Sequence, residues 1–232
     1  MIASSTEDQK KEVGERLMKS LHGEPVAPPK QPKLTRDEHF TVKLFRGFTE
    51  IHACIERLKD CETYIGRFPF KGTRVSRAAY LQHVVETHLH ELYILRERLI
   101  GYATLIRRQY RHDRNAQLVD EVTTLLEEYV STAFAGFTRV RGSHVHQFRH
   151  SNDDIERLEL LALLQKGGDK HFSNAIRILG RTAIPETHMR LKAQAKKWNS
   201  SASKALEEYF KALLPLVFTA DAKAFRYPGA KP

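Results

Sequence analysis

The sequence predicts an all-α fold, a bundle of long antiparallel helices. From Thr35 onward, apolar residues recur at the helical period nearly everywhere. Leu81, Val85, His88, Leu92, Leu95, Leu99, Tyr102 and Ile106 alternate steps of four and three without a break. That spacing makes a narrow seam of the kind packed in coiled coils and long bundles. Strand-like alternation is nearly absent: only HFTVKLF, residues 39–45, reads that way.

Each element follows from local signals. A short polar helix is expected over residues 5–21, where Thr6 can cap and Val13, Leu17 and Leu21 recur at a spacing of four. EPVAPPKQPK, residues 24–33, carries four prolines and reads as a semi-rigid linker. Residues 1–34 are therefore an appendage to a helical domain spanning residues 35–218. In that domain Phe48, Ile51, Ile55, Leu58 and Tyr64 mark one helix face, which closes before Phe68-Pro69. The seam helix, residues 76–110, would be about 50 Å long at 1.5 Å per residue, so its partners must be long too. Further helices are expected over residues 115–137, 153–166 and 169–183, and a last one from Pro185, at a first helical position, to Leu214. Asn152, Asp153 and Asp154 cap the 153–166 helix, and Gly167-Gly168 ends it. The tail, residues 219–232, is expected to be loose.

Composition narrows the function classes. The chain has 232 residues, 38 Lys and Arg against 28 Asp and Glu, and a net charge of +10. With 41% hydrophobic and 28% charged residues, it is neither disordered nor fibrous. No run approaches the roughly 18 apolar residues of a membrane span, and the polar N-terminus does not read as a secretory signal. The expectation is a reduced, cytoplasmic protein with no membrane contact. The two cysteines, Cys54 and Cys61, exclude a disulfide scaffold and a four-cysteine zinc site. On one helix they would lie about 10 Å apart, beyond the roughly 7 Å limit for a disulfide.

The positive charge is concentrated. LIRRQYRHDR, residues 105–114, holds Arg107, Arg108, Arg111 and Arg114 against Asp113. Arg107, Arg108 and Arg111 are candidate RNA contacts, as is Arg149 further on. Residues 139–150 read Arg139-Val-Arg141-Gly-Ser-His144-Val-His146-Gln-Phe-Arg149-His150, with no carboxylate. Gly-rich phosphate loops, a serine nucleophile elbow and HExxH are all absent. Three chemistries fit this cluster. His144, His146 and His150 could ligate a metal, but three arginines beside them repel a cation. The segment could be a polar interhelix loop, or a phosphate contact without reaction. Or a histidine near neutral pKa could move a proton while an arginine holds the charge building on a phosphodiester, with no metal or other cofactor.

The third reading is the one a family uses. Arg141-Gly-Ser-His-Val-His146 resembles the Arg, four to six residues, His motif of the HEPN superfamily, and its place between two bundle helices fits as well. The resemblance covers residues 48–166, including HLHELYILRERL on the seam helix. Gly142 stands where family members commonly carry Asn, Asp or His. Arg139 and His144 satisfy the same spacing, and Val145, the apolar residue before the histidine, favours the Arg141–His146 register. The resemblance implies an all-α, metal-independent endoribonuclease of the toxin or defence kind. His146 would act on the ribose 2′-hydroxyl or the leaving oxygen, and Arg141 would bind the scissile phosphate. It further implies a homodimer with both motifs facing one cleft, and possible partnership with an antitoxin protein. A non-catalytic helical module that binds nucleic acid or a protein is the alternative. On the seam, His88 reads either as a neutral core histidine or as a motif-supporting group with Glu91 one turn along.

Overall fold

Five helices carry the described residues, and the reason each forms is visible in what it buries. The computed structural model describes residues 34–69, 75–137, 152–167 and 170–218. The expected helix over residues 5–21, the linker, the 139–150 cluster and the tail lie outside the described residues. The helices are α1 (Arg36–Ile65), α2 (Arg77–Tyr110), α3 (Ala116–Ala133), α4 (Asp153–Gly167) and α5 (Lys170–Val217). All fall, but for Arg36, within one unit, Asp37–Pro232. Among the described residues the architecture is all-α.

The seam of α2 is a core. Leu81, Val85, His88, Leu92, Leu95, Leu99 and Ile106 are all buried, and Tyr102 packs at the margin. The hydroxyl of Ser76 starts the helix by accepting from the Ala79 N–H at 3.1 Å. These residues are consumed within the chain's own core.

Two expectations for the elements are corrected. Residues 39–45 are helical, within α1. Phe40 and Leu44, four apart, are buried and begin a face that continues through Ile51, Cys54, Leu58, Cys61 and Ile65. The apparent alternation arises from Val42, which falls between Phe40 and Leu44 and is exposed. Likewise residues 169–183 and 185–214 are not two helices but one, with Pro185 inside α5. Ala183, Thr187, Leu191 and Ala195 are buried at steps of four and carry one packed face straight through the proline. Pro185 is exposed, so its ring clears the core, and the helix loses one backbone hydrogen bond there.

Cross-helix contacts set the directions. Arg57 meets Glu91, Arg98 meets Glu50 and Phe40 meets Tyr110, so α1 and α2 are antiparallel. Thr104 and Arg107 bond Glu127, while Arg96 reaches Ser131, so α3 returns antiparallel to α2. His88 meets Asn199 and the Tyr209 hydroxyl donates to the Leu99 carbonyl, so α5 runs parallel to α2. Two apolar clusters fill the bundle. One joins α1, α2, α3 and the C-terminal part of α5, and the other joins the C-terminal end of α1, the N-terminal part of α2, α4 and the middle of α5. At 1.5 Å per residue, α2 is about 51 Å long, whereas α3 and α4 are about 27 and 22 Å. The two short helices in series cover what one long helix could. Trp198 packs against both clusters, at their joint.

Candidate functional site

The described residues bracket the Arg139–His150 cluster on both sides. Before it, Phe137 stacks edge-on against Phe134 at 5.8 Å and against Trp198 at 5.8 Å. After it, the Asn152 side chain accepts from the backbone N–H groups of Asp154 at 3.1 Å and Ile155 at 3.3 Å, capping α4. Asp154 is then held by Arg190 at 2.9 Å, and its carbonyl accepts from Thr187. The described residues that flank the cluster, Phe137 and Asp154, thus both meet α5, eight residues apart at Trp198 and Arg190. Arg139, Arg141, His144, His146, Arg149 and His150 themselves lie outside the described residues.

Behind Trp198 lies a buried polar group of residues. His88 is only 1% exposed, and its ring sits 5.6 Å from the Trp198 indole. The Asn199 side-chain amide donates to the Leu58 carbonyl at 3.1 Å and to Glu62 at 3.3 Å, which turns its oxygen toward His88. His88 Nε2 lies 2.7 Å from that oxygen and must therefore donate to it. Nδ1 is left bare, buried and without a partner. Burial lowers the His88 pKa, outweighing the Asn199 bond and the Glu62 charge that raise it. His88 is a neutral core residue that no substrate reaches. Its path to the cluster runs through ring contacts, from His88 to Trp198 to Phe137, so any role it has there is one of positioning.

Glu91, one turn along, turns elsewhere. It bonds Arg57 Nε at 2.8 Å, and Arg57 also donates to Cys54 Sγ at 3.3 Å. Burial pushes the Cys54 thiol up, and pushes Cys61 up to about 11, so both stay protonated thiols. Among the described residues no group of three or more His, Cys, Asp or Glu could hold a metal ion. No described helix is long and apolar enough to cross a membrane.

The arginines closing α2 are differently placed. Arg107 is engaged by Glu127 at 2.9 Å and lies 3.9 Å from Asp120, whereas Arg108 is exposed and Arg111 bonds His112. Arg107 is 19 residues beyond His88 on α2, about 29 Å along the axis. The 105–114 run is thus far from the Trp198 anchor of the 139–150 cluster.

Sequence reasoning does not gather the cations of α5 onto one face. Between Arg177 and Lys204 that helix carries seven exposed cations against Glu186 alone. Arg177, Arg181, Lys192 and Lys196, at steps of 4, 11 and 4, fall on one side of a continuous helix. The signal is present, but an expected break at Pro185 separates the first pair from the second. Comparison with family models, curated proteins and solved structures finds no match.

Proposed function

We propose that the protein is a metal-independent endoribonuclease of the HEPN type, in which Arg141 and His146 act on an RNA phosphodiester. The observation that carries this reading is the Arg-x4-His segment itself, in the connection between two helices of an all-α bundle and bracketed by the anchors at Phe137 and Asn152. His146 moves the proton of the attacking 2′-hydroxyl or of the leaving oxygen, and Arg141 holds the phosphoryl oxygens as charge develops on them. The +10 charge supports a polyanionic substrate. The proposal includes a cytoplasmic homodimer that joins two motifs in one cleft, and an antitoxin protein that holds it in check.

The test is cleavage of RNA by the parent and by three variants. His146→Ala and Arg141→Ala should each lose about 10²–10⁴ in rate with the fold intact. EDTA should change nothing, and the products should end in a 2′,3′-cyclic phosphate. If His144→Ala is the inactive variant and His146→Ala cleaves normally, the pair is Arg139 and His144. A parent that cleaves no RNA overturns the enzyme reading. The basic face of α5 favours one second reading, a module that binds RNA without cutting it, and that outcome would support it.

A further inference from the structure

A cavity of about 330 Å³ opens where α4 and the first third of α5 meet the start of α2. Its walls are apolar, with Ala78, Leu158, Leu161, Ile176 and Ile184 among them, and three arginines are among the residues that line it: Arg77, Arg177 and Arg181. No Asp or Glu does. Arg177 and Arg181 are exposed, and no carboxylate of the described residues pairs with either. Like charges gathered without a counter-charge repel one another, and here the surroundings worsen the imbalance. Arg77 occupies the first position of a 34-residue helix whose first turn has no acidic residue. A cation there opposes the helix dipole. Arg77 is also fixed in place, its guanidinium 5.0 Å over the Phe68 ring. The same positive field reaches His188, whose pKa is lowered by burial first and by Arg77 next, against a hydrogen bond to the Ile65 backbone. Its Nε2 is buried without a partner.

An anion in the cavity offsets the repulsion among these arginines and the opposition of Arg77 to the helix dipole. Three arginines suit a phosphate in particular, because guanidinium groups grip its oxygens in pairs. The apolar walls call for a ligand that is more than a phosphate, with a flat or apolar body attached. The volume lies at the lower end of the ~300–1,000 Å³ typical of small-molecule sites, room for one nucleotide and not for a helix. Gly180 leaves part of that room: a Cβ built on it meets nothing within 4 Å.

We propose that this cavity binds a single phosphorylated nucleoside, its phosphate on Arg77, Arg177 and Arg181 and its base against the leucine and isoleucine walls. The nucleoside comes either from an RNA strand, in which case the inference rests on the ribonuclease reading above, or from a free nucleotide.

Binding to the full chain separates these cases. The probe is a fluorescent, 5′-phosphorylated single-stranded RNA with 2′-O-methyl sugars, which cannot be cleaved through a 2′-hydroxyl. Adenosine and cytidine monophosphate and inorganic phosphate serve as competitors. The double variant R177A/R181A should bind the RNA about tenfold or more weakly. Its log–log salt slope should also shrink by about 0.7 for each phosphate it no longer neutralises. Gly180→Phe, which fills the cavity without touching a charge, should weaken binding to a similar degree. Both variants should keep the parent's circular dichroism. The nucleoside monophosphates should compete better than inorganic phosphate. If the parent binds RNA and both variants match it, the cavity proposal falls and the ribonuclease reading stands. If the parent binds the monophosphates but no RNA, the cavity stands as a free-nucleotide site and the RNA reading falls. Binding of neither overturns both.

Discussion

His88 carries its proton on Nε2, toward Asn199, and its bare Nδ1 faces no donor. Protonation would place a second N–H, and a charge, in a site only 1% exposed. The folded-state pKa is therefore below the ordinary value of 6.5. The unfolded chain takes up this proton first, so the stabilisation is complete above pH 6.5 and is lost as pH falls below it. Urea midpoints measured at about pH 7.5 and about pH 5.5 should show this loss, and His88→Gln, though less stable at the start, should lose less between the two. Gly47 offers a test of a different kind. Replacing an interior helical glycine by alanine ordinarily gains up to about 1 kcal/mol. At Gly47 the added methyl would overlap the Tyr102 ring, which is held by its hydroxyl donating to the Leu44 carbonyl at 3.2 Å. Gly47→Ala should instead cost about 1–3 kcal/mol, the usual penalty for overpacking, read as a lower melting temperature.

At the scale of elements, α5 departs furthest from its sequence signal. Pro185 sits 15 residues from the helix start, on the solvent side, and contributes no hydrogen bond. Pro185→Ala restores the N–H and should stabilise the protein by about 1–3 kcal/mol, unless the ring supports a bend that α4 needs. A fall in melting temperature would reveal that dependence. Local rules place proline at first helical positions, which makes Pro185 look like a start. What overrides them is tertiary: Ala183, Thr187 and Leu191 are buried on both sides of it. By contrast α2 is legible to within a residue at both ends. Its buried face repeats over the whole helix, and Ser76, read from the sequence as its first residue, caps it. The His88 site is legible only in part. Its seam position fixes its burial, but its partner Asn199 is 111 residues away, beyond any local pattern. Glu91 looks like the partner of His88 because it lies three residues on, yet a cation on another helix, Arg57, claims it.

At the scale of the molecule, the dimer that the proposed function requires must use faces other than the α2 seam, since Leu81 through Ile106 are spent on the chain's own core. Light scattering on the full chain at micromolar concentration should report twice the 26.7 kDa monomer mass. A clean monomer would remove the two-motif cleft from the proposal. Trp198 gives a further handle on the whole assembly. It is the one tryptophan in the chain, and it touches both cores, His88 and Phe137. Its emission therefore has a single origin, needs no label, and arises where the two halves of the bundle meet. A protonated imidazole beside an indole quenches it, so charging of His88 should dim the protein at acidic pH before the spectrum shifts to that of an unfolded chain. Phe137 touches Trp198 and lies two residues ahead of Arg139, so RNA bound at the Arg139–His150 cluster should register in the same signal. Binding, protonation and unfolding can then be followed by one intrinsic chromophore.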